Sequence, residues 1–173
     1  MTGWNHLTED QKRQFARNLV QRRASYETWH KFGEIAVAKD ILLIADRPGP
    51  GAPDTDNYHH TPFYAKTHSG GWLNANLVEA CIPETRLFWE NSANRHGQPM
   101  DPRILSIRPW RKIFMLGNNA ETWIRKNLEH VSLAHDGDMK KVLHPQAHKR
   151  WNSKAPYDLI AELQILHMAP YPS

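Results

Sequence analysis

A carboxylate and an imidazole stand at matching places in two distant segments, Ile44-Ala45-Asp46-Arg47-Pro48-Gly49 and Val142-Leu143-His144-Pro145-Gln146. Each segment is an apolar run that stops abruptly at turn-forming residues, the pattern of a buried strand whose end opens into a loop. Open α/β sheets place their ligands at such strand ends, so Asp46 and His144 are expected to face one cleft. Together they suit cleavage of a bond whose two sides develop opposite charge. The carboxylate stabilises the positive side or orients a water, and the imidazole donates a hydrogen bond to the negative side. As a neutral donor, His144 needs its tautomer fixed by a second partner. Without such chemistry, Asp46 would be a loop-turn carboxylate and His144 a structural residue at a strand end.

The elements that hold these residues follow from hydrophobic patterning and turn signals. Thr8-Glu9-Asp10-Gln11 has the form of a capping box. It predicts a helix to about Tyr26 or beyond, covered along Phe15 and Leu19, within an N-terminal helical extension of about residues 5–38. Residues 40–46 read as the first buried strand, and 47–69, rich in Pro, Gly, His and Asp, as a long functional loop. Ser69-Gly70-Gly71 opens a helix through Trp72, Leu73, Leu77 and Ala80 that ends before Pro83. Residues 86–90 read as a second strand, 91–109 as a polar loop or short-helix region, and 112–117 as a third strand. Asn118 is placed to cap a helix to about Leu128. Residues 139–143 give a fourth strand, and 156–167 a closing amphipathic helix with Pro in its first turn. Strands alternate with helices throughout. The expected fold is a single α/β domain over residues 1–173, a three-layer α/β/α sandwich with a mainly parallel central sheet of about four strands. There is no internal repeat, no low-complexity tract and no glycine pattern of the dinucleotide or P-loop kind.

Composition narrows the partner. The chain has 173 residues, enough for one domain with a substantial core. Its formal charge is +4 with histidines neutral, and its pI is about 9.3, which favours an anionic partner. Basic residues cluster at Arg17, Arg22 and Arg23, at Arg108, Arg111 and Lys112, and at His148, Lys149 and Arg150, followed by Trp151 and Lys154. A single cluster is ordinarily a solvated face. The third differs, because basic and aromatic residues interleave directly after the His-Pro turn. No uninterrupted apolar stretch approaches the roughly 20 residues of a membrane span, so no membrane partner is expected. The N-terminal residues lack the basic start and apolar stretch of a signal peptide. The only cysteine, Cys81, excludes an internal disulfide and fits a reducing, cytoplasmic compartment, where a buried, inert thiol is expected. His59, His60 and His68 with Asp54 and Asp56 could in principle bind zinc. Adjacent histidines point apart in a strand, however, and no helical ligand pair is present, so no metal or other cofactor is expected.

The order of segments resembles the uracil-DNA glycosylase superfamily, especially its small microbial branches. The strand followed by Gly-Glu-Ala-Pro-Gly or a variant corresponds to Ala45-Asp46-Arg47-Pro48-Gly49. The Pro-Phe pair and Gly-rich helix start correspond to Pro62-Phe63-Tyr64 and Ser69-Gly70-Gly71-Trp72-Leu73. Asn91 stands where the family's next strand ends in an asparagine that reads the base, and Gly97-Gln98-Pro99-Met100-Asp101-Pro102 resembles the downstream loop. Lys112 to Ala120 is similar to the Leu-Gly-x-x-Ala strand and helix start, and His144-Pro145-Gln146 to the closing His-Pro-Ser motif. The resemblance covers Asp40 to about Trp151. It departs from the family pattern at Asp46, which replaces Glu, Asn or Gln, at Arg47 beside it, and at Gln146, which replaces Ser. The cysteines that hold an iron-sulfur cluster in one branch are absent.

The resemblance implies a monomeric DNA glycosylase that flips uracil or a 5-substituted pyrimidine out of DNA and hydrolyses its N-glycosidic bond, with Asp46 and His144 as the catalytic pair. Phe63 is then either the stacking platform for the flipped base or a core residue. Asn91, whose amide offers one acceptor and two donors, either reads the N3-H and O4 edge or caps a strand-end turn. Tyr58 and Tyr64 would wall the pocket. His148, Lys149 and Arg150 fall where the family places its minor-groove wedge, as a DNA-contacting loop. Ser69 and Gly70 open a helix whose amides could bind a phosphate or serve as an ordinary N-cap. The alternatives are a non-catalytic DNA-binding or modified-base-reading module of the same fold and a base-modifying transferase using the same pocket.

Overall fold

Ile41, Leu42, Leu43, Ile44 and Ala45 form strand β1 (Ile41–Ala45), buried at every position. The computed structural model of the chain describes residues 39–47, 63, 68–82, 86–94, 96–152 and 157–168, together with residues 8, 10 and 11. Successive strand side chains point to opposite faces, so β1 feeds two cores. Leu42 and Ile44 enter one cluster, and Ile41, Leu43 and Ala45 enter the other. A strand apolar on both faces requires cover on both, which is why its sequence reads as an unbroken hydrophobic run.

The chain supplies that cover in order. Helix α1 (His68–Glu79) leads to β2 (Leu87–Asn91), a 3-10 turn spans Pro102–Ser106, and β3 (Trp110–Leu116) runs into helix α2 (Asn118–Lys126). A second 3-10 turn at Leu128–His130 precedes β4 (Leu133–Val142), helix α3 (Pro145–Asn152) and helix α4 (Asp158–Met168). Ala120, Trp123 and Ile124 of α2, with Ile104 and Leu105, close one face of the sheet. Leu73 and Leu77 of α1, with Leu159 and Leu163 of α4, close the other. The four strands run in the order β2-β1-β3-β4, and every pairing is parallel. This is the expected three-layer α/β sandwich. No helix among the described residues is long and apolar enough to cross a membrane.

Opposite the strand ends that carry Asp46 and His144, the sheet is locked by a buried ion pair. Arg86 donates from Nε to Asp40 Oδ1 at 3.0 Å and from Nη2 to Asp40 Oδ2 at 2.6 Å, while its Nη1 donates to the Leu166 carbonyl at 2.6 Å. The side chains are only 4% and 2% exposed. One guanidinium thus ties the starts of β1 and β2 to the last turn of α4.

Several elements depart from sequence expectation. Residues 148–151, expected in a loop, lie in α3. His144 precedes the helix, its carbonyl accepts the His148 N–H at 3.0 Å, and Pro145 occupies the first helical position, where a missing N–H costs nothing. Cys81, expected buried, is exposed. It ends α1 in the left-handed conformation, with φ 57°, while the Ile82 N–H reaches back to the Leu77 carbonyl at 3.0 Å. That six-to-one bond defines a Schellman ending, in which the left-handed residue projects outward and the next one packs inward. Asn118 begins α2 instead of capping it. Gly117 holds the cap position, and Asn118 Oδ1 accepts from Lys141 Nζ. β4 starts at Leu133, well before residue 139, because its first half is an edge strand without apolar alternation. Its register to β3 shifts between Trp110 and Lys112, and a side chain on Gly137 would meet the Trp110 carbonyl oxygen at 2.5 Å. At the N-terminus, Gln11 N–H donates to Thr8 Oγ1 and Thr8 N–H to Gln11 Oε1, the reciprocal pair of a capping box. The remainder of the N-terminal helical extension and most of the loop at 47–69 lie outside the described residues.

Two stability measurements test this account. Arg86→Ala should lower unfolding free energy in urea by about 3–5 kcal/mol, because it strands a buried carboxylate. Cys81→Gly should raise it by up to ~1 kcal/mol, as relief of the left-handed strain outweighs the added chain entropy.

Candidate functional site

Strand order fixes where a ligand can enter. From β1 the chain crosses to β2 on one side of it and then returns to β3 on the other, so the connections diverge at the carboxyl ends of β1 and β3 and leave a crevice between them. Asp46 is the first residue beyond β1, and Gly117-Asn118-Asn119 follow β3. These residues, with Leu116 and His144, line a cavity of about 270 Å³. The two groups singled out from the sequence therefore meet in one pocket.

Asp46 is held at both backbone and side chain. Its carbonyl accepts from the Ala93 N–H and from Ser92 Oγ, each at 3.0 Å, as the chain beyond β2 runs on beside it. Its Oδ2 accepts from Asn119 Nδ2 at 3.0 Å. Asn119 carries no signal in the sequence beyond its place at the start of a helix.

His144 is both strand end and helix cap. Its Nδ1 accepts the Gln146 N–H at 3.0 Å, the bond a capping side chain makes to the second helical residue. An accepting Nδ1 places the proton of the neutral ring on Nε2. Burial pushes the imidazole below its ordinary 6.5, opposed in part by Asp46, so the ring is neutral at pH 7. Two neighbours set its position. Tyr157 Oη donates to the Leu143 carbonyl at 2.5 Å, and burial raises the phenol far above its usual range, so it remains a donor. On the other side Gly117, at φ 99°, lies so close that a β-carbon there would be 3.0 Å from His144 Cβ. The Leu-Gly-x-x-Ala and His-Pro-Gln segments are thus in direct contact.

The other expected site residues divide. Phe63 is 9% exposed and belongs to the core, its ring 5.7 Å from Trp89 edge-on and 5.6 Å from the His144 imidazole. Its φ of 53° is a left-handed strain on an aromatic residue, and its carbonyl is held by Asn74 Nδ2 at 3.2 Å. Asn91, also buried, is the last residue of β2, paired in register with Ala45. Both stand beside the Asp46–His144 cavity, but neither lines it. Ser69 and Gly70 lie in the first turn of α1, where Gly70 is buried. His148, expected on the DNA-facing surface, is 5% exposed and packs on Tyr157 at 4.7 Å and Trp72 at 5.7 Å. The cause is the α3 helix, which turns His148 inward toward α1. Tyr58, Tyr64 and the side chains of Lys149 and Arg150 lie outside the described residues, as do Asp54, Asp56, His59 and His60. Among the described residues no group of three metal-ligating side chains is found.

Neither protein-family models nor curated protein sequences give a match to this chain.

The His144 environment makes stability pH-dependent with a definite sign. The folded ring binds a proton less readily than an unfolded histidine, so between the depressed folded pKa and about 6.5 the unfolded state holds more protons. The stability tied to this ring is complete above about pH 6.5 and is lost as the pH falls through that window. Thermal melting of wild type should drop from pH 7 to pH 5 more steeply than that of His144→Asn, which keeps a capping side chain without the titration. Parallel curves would show that His144 is not held neutral.

Proposed function

We propose that the protein is a DNA glycosylase that excises uracil or a 5-substituted pyrimidine. The reading rests on one observation: the Asp46 carboxylate and a neutral His144, with its proton on Nε2, line the same cavity at the crevice of the parallel sheet. Its volume of about 270 Å³ sits near the lower end of the ~300–1,000 Å³ of small-molecule sites, suited to a single base or nucleoside.

The chemistry follows from where charge develops. As the bond between the sugar's anomeric carbon and the base nitrogen breaks, the sugar becomes positive and the pyrimidine negative. Asp46, fixed by Asn119, stabilises the sugar cation and orients the water that attacks it. His144 donates from Nε2 to the base carbonyl oxygen on which negative charge accumulates. The water contributes hydroxide to the sugar and its proton to the departing base, so the products are an abasic sugar and a free pyrimidine. In this reading Phe63 and Asn91 back the pocket from behind its lining residues, and the protein works on DNA as a monomer in the cytoplasm. The departures from the family's motifs at Asp46 and Gln146 favour a second reading, a module that binds a modified base without cleaving it.

Single-turnover assays on single- and double-stranded oligonucleotides containing uracil, thymine or hydroxymethyluracil distinguish these readings. Wild type should generate abasic sites on at least one substrate, and Asp46→Asn and His144→Ala should each slow release by roughly 10²-fold or more while binding persists. Wild-type protein that binds but leaves every substrate intact would give way to the binding-module reading.

A further inference from the structure

A second, larger cavity of about 630 Å³ adjoins the pocket and shares Asp46 and Asn119 with it. The Asp46–Asn119 hydrogen bond lies where the two meet. One wall is a stripe of α2, where Asn119, Thr122 and Lys126 fall at i, i+3 and i+7 on a single helix face. From Asn119 to Lys126 the helix rises about 10 Å. The facing wall is the chain beyond β1 and β2, where Arg47 extends over Gly97, close enough that a side chain there would meet its guanidinium at 3.5 Å.

The charges in this groove are arranged differently from those elsewhere on the surface. Arg103 pairs with Asp101, Arg125 with Glu121, Lys140 with Glu162, and Lys141 with Glu121. Arg47 and Lys126, by contrast, have no ion-pair partner among the described residues, although both line the groove. Among the described residues the only acidic group lining it is Asp46, which is already bonded to Asn119. Two cations without an ion-pair partner among the described residues, in a groove walled along about 10 Å of helix, suit a run of phosphodiesters, since one strand of a duplex carries a phosphate every ~3.4 Å.

We propose that this groove binds the sugar-phosphate backbone of the DNA strand next to the nucleotide held in the Asp46–His144 pocket, with Arg47 and Lys126 each neutralising a phosphate. The proposal rests on the glycosylase reading for its neighbouring nucleotide, but its test needs no base release. It also locates a backbone contact on the α2 side of the sheet, whereas the sequence pointed to residues 148–150 after β4.

The test is equilibrium binding of a single-stranded oligonucleotide of ordinary bases over a range of salt concentrations. Each phosphate neutralised on a single strand contributes about −0.7 to the slope of log K against log salt. The Arg47→Gln, Lys126→Gln double variant should therefore bind with a slope less negative by about 1.4. A charge-matched control, Arg103→Gln with Lys140→Gln, should retain the wild-type slope. Equal changes in both double variants would leave only an effect of overall charge, and no change in either would leave no contribution from these cations; both outcomes overturn the groove. Base release from the uracil, thymine and hydroxymethyluracil oligonucleotides, measured in parallel, separates the two ideas. A slope change without release sinks the glycosylase reading and keeps the groove, while release with an unchanged slope does the reverse.

Discussion

Everything in this molecule depends on β1 being apolar on both faces and paired on both edges. Five consecutive buried residues satisfy two cores at once, and parallel neighbours on each side consume the strand's hydrogen bonds. A strand so enclosed can reach solvent only at its ends. One end is sealed by the Asp40–Arg86 pair, which carries its own compensation in two charge-assisted hydrogen bonds and a third to α4. The other end is where the crossovers part, and there the chain places Asp46. The location of the cleft is thus a consequence of strand order, with no need for a specialised loop to create it.

The same economy governs His144. A helix needs acceptors for its first N–H groups, and α3 obtains one from the imidazole itself. That bond uses Nδ1, fixes the tautomer and leaves Nε2–H as the only donor on the ring. Pro145 at the first helical position removes an N–H that would otherwise need a partner, and Gly117, having no side chain, lets the backbone and Cβ of His144 pack close against it. The capping role therefore leaves the Nε2–H available for chemistry, and the alternatives the sequence left open for His144 are not exclusive. The contact between Gly117 and His144 also explains why two short segments far apart in the chain carry constraints on one another.

Electrostatically, the crevice is asymmetric. Burial keeps the imidazole neutral beside a carboxylate, so the pair presents one anionic group and one hydrogen-bond donor. Beyond Asn119 the groove turns cationic through Arg47 and Lys126.

Sequence alone determined what depends on local pattern. Unbroken apolar runs placed the cores of β1 and β3, the capping box at Thr8 and Gln11 was readable from spacing, and turn residues after 45 and 143 marked the two strand ends that meet. The three-layer parallel architecture followed from alternation of strand and helix. Only the tertiary structure decided what depends on neighbours distant in the chain. Asn119 became the partner of Asp46 because β1 and β3 lie side by side. His148 turned inward because α3 packs on α1, which no count of basic residues could reveal. Cys81 projected outward because a Schellman ending sends its left-handed residue to solvent, and an average tendency of cysteine to be buried carries no information about that geometry. The exposed half of β4 is held by an edge pairing and a bulge at Gly137, where backbone contact replaces the hydrophobic alternation that would have announced a strand. Local pattern fixes which segments are regular and where they stop, whereas side-chain partners are set by the packing of those segments against one another.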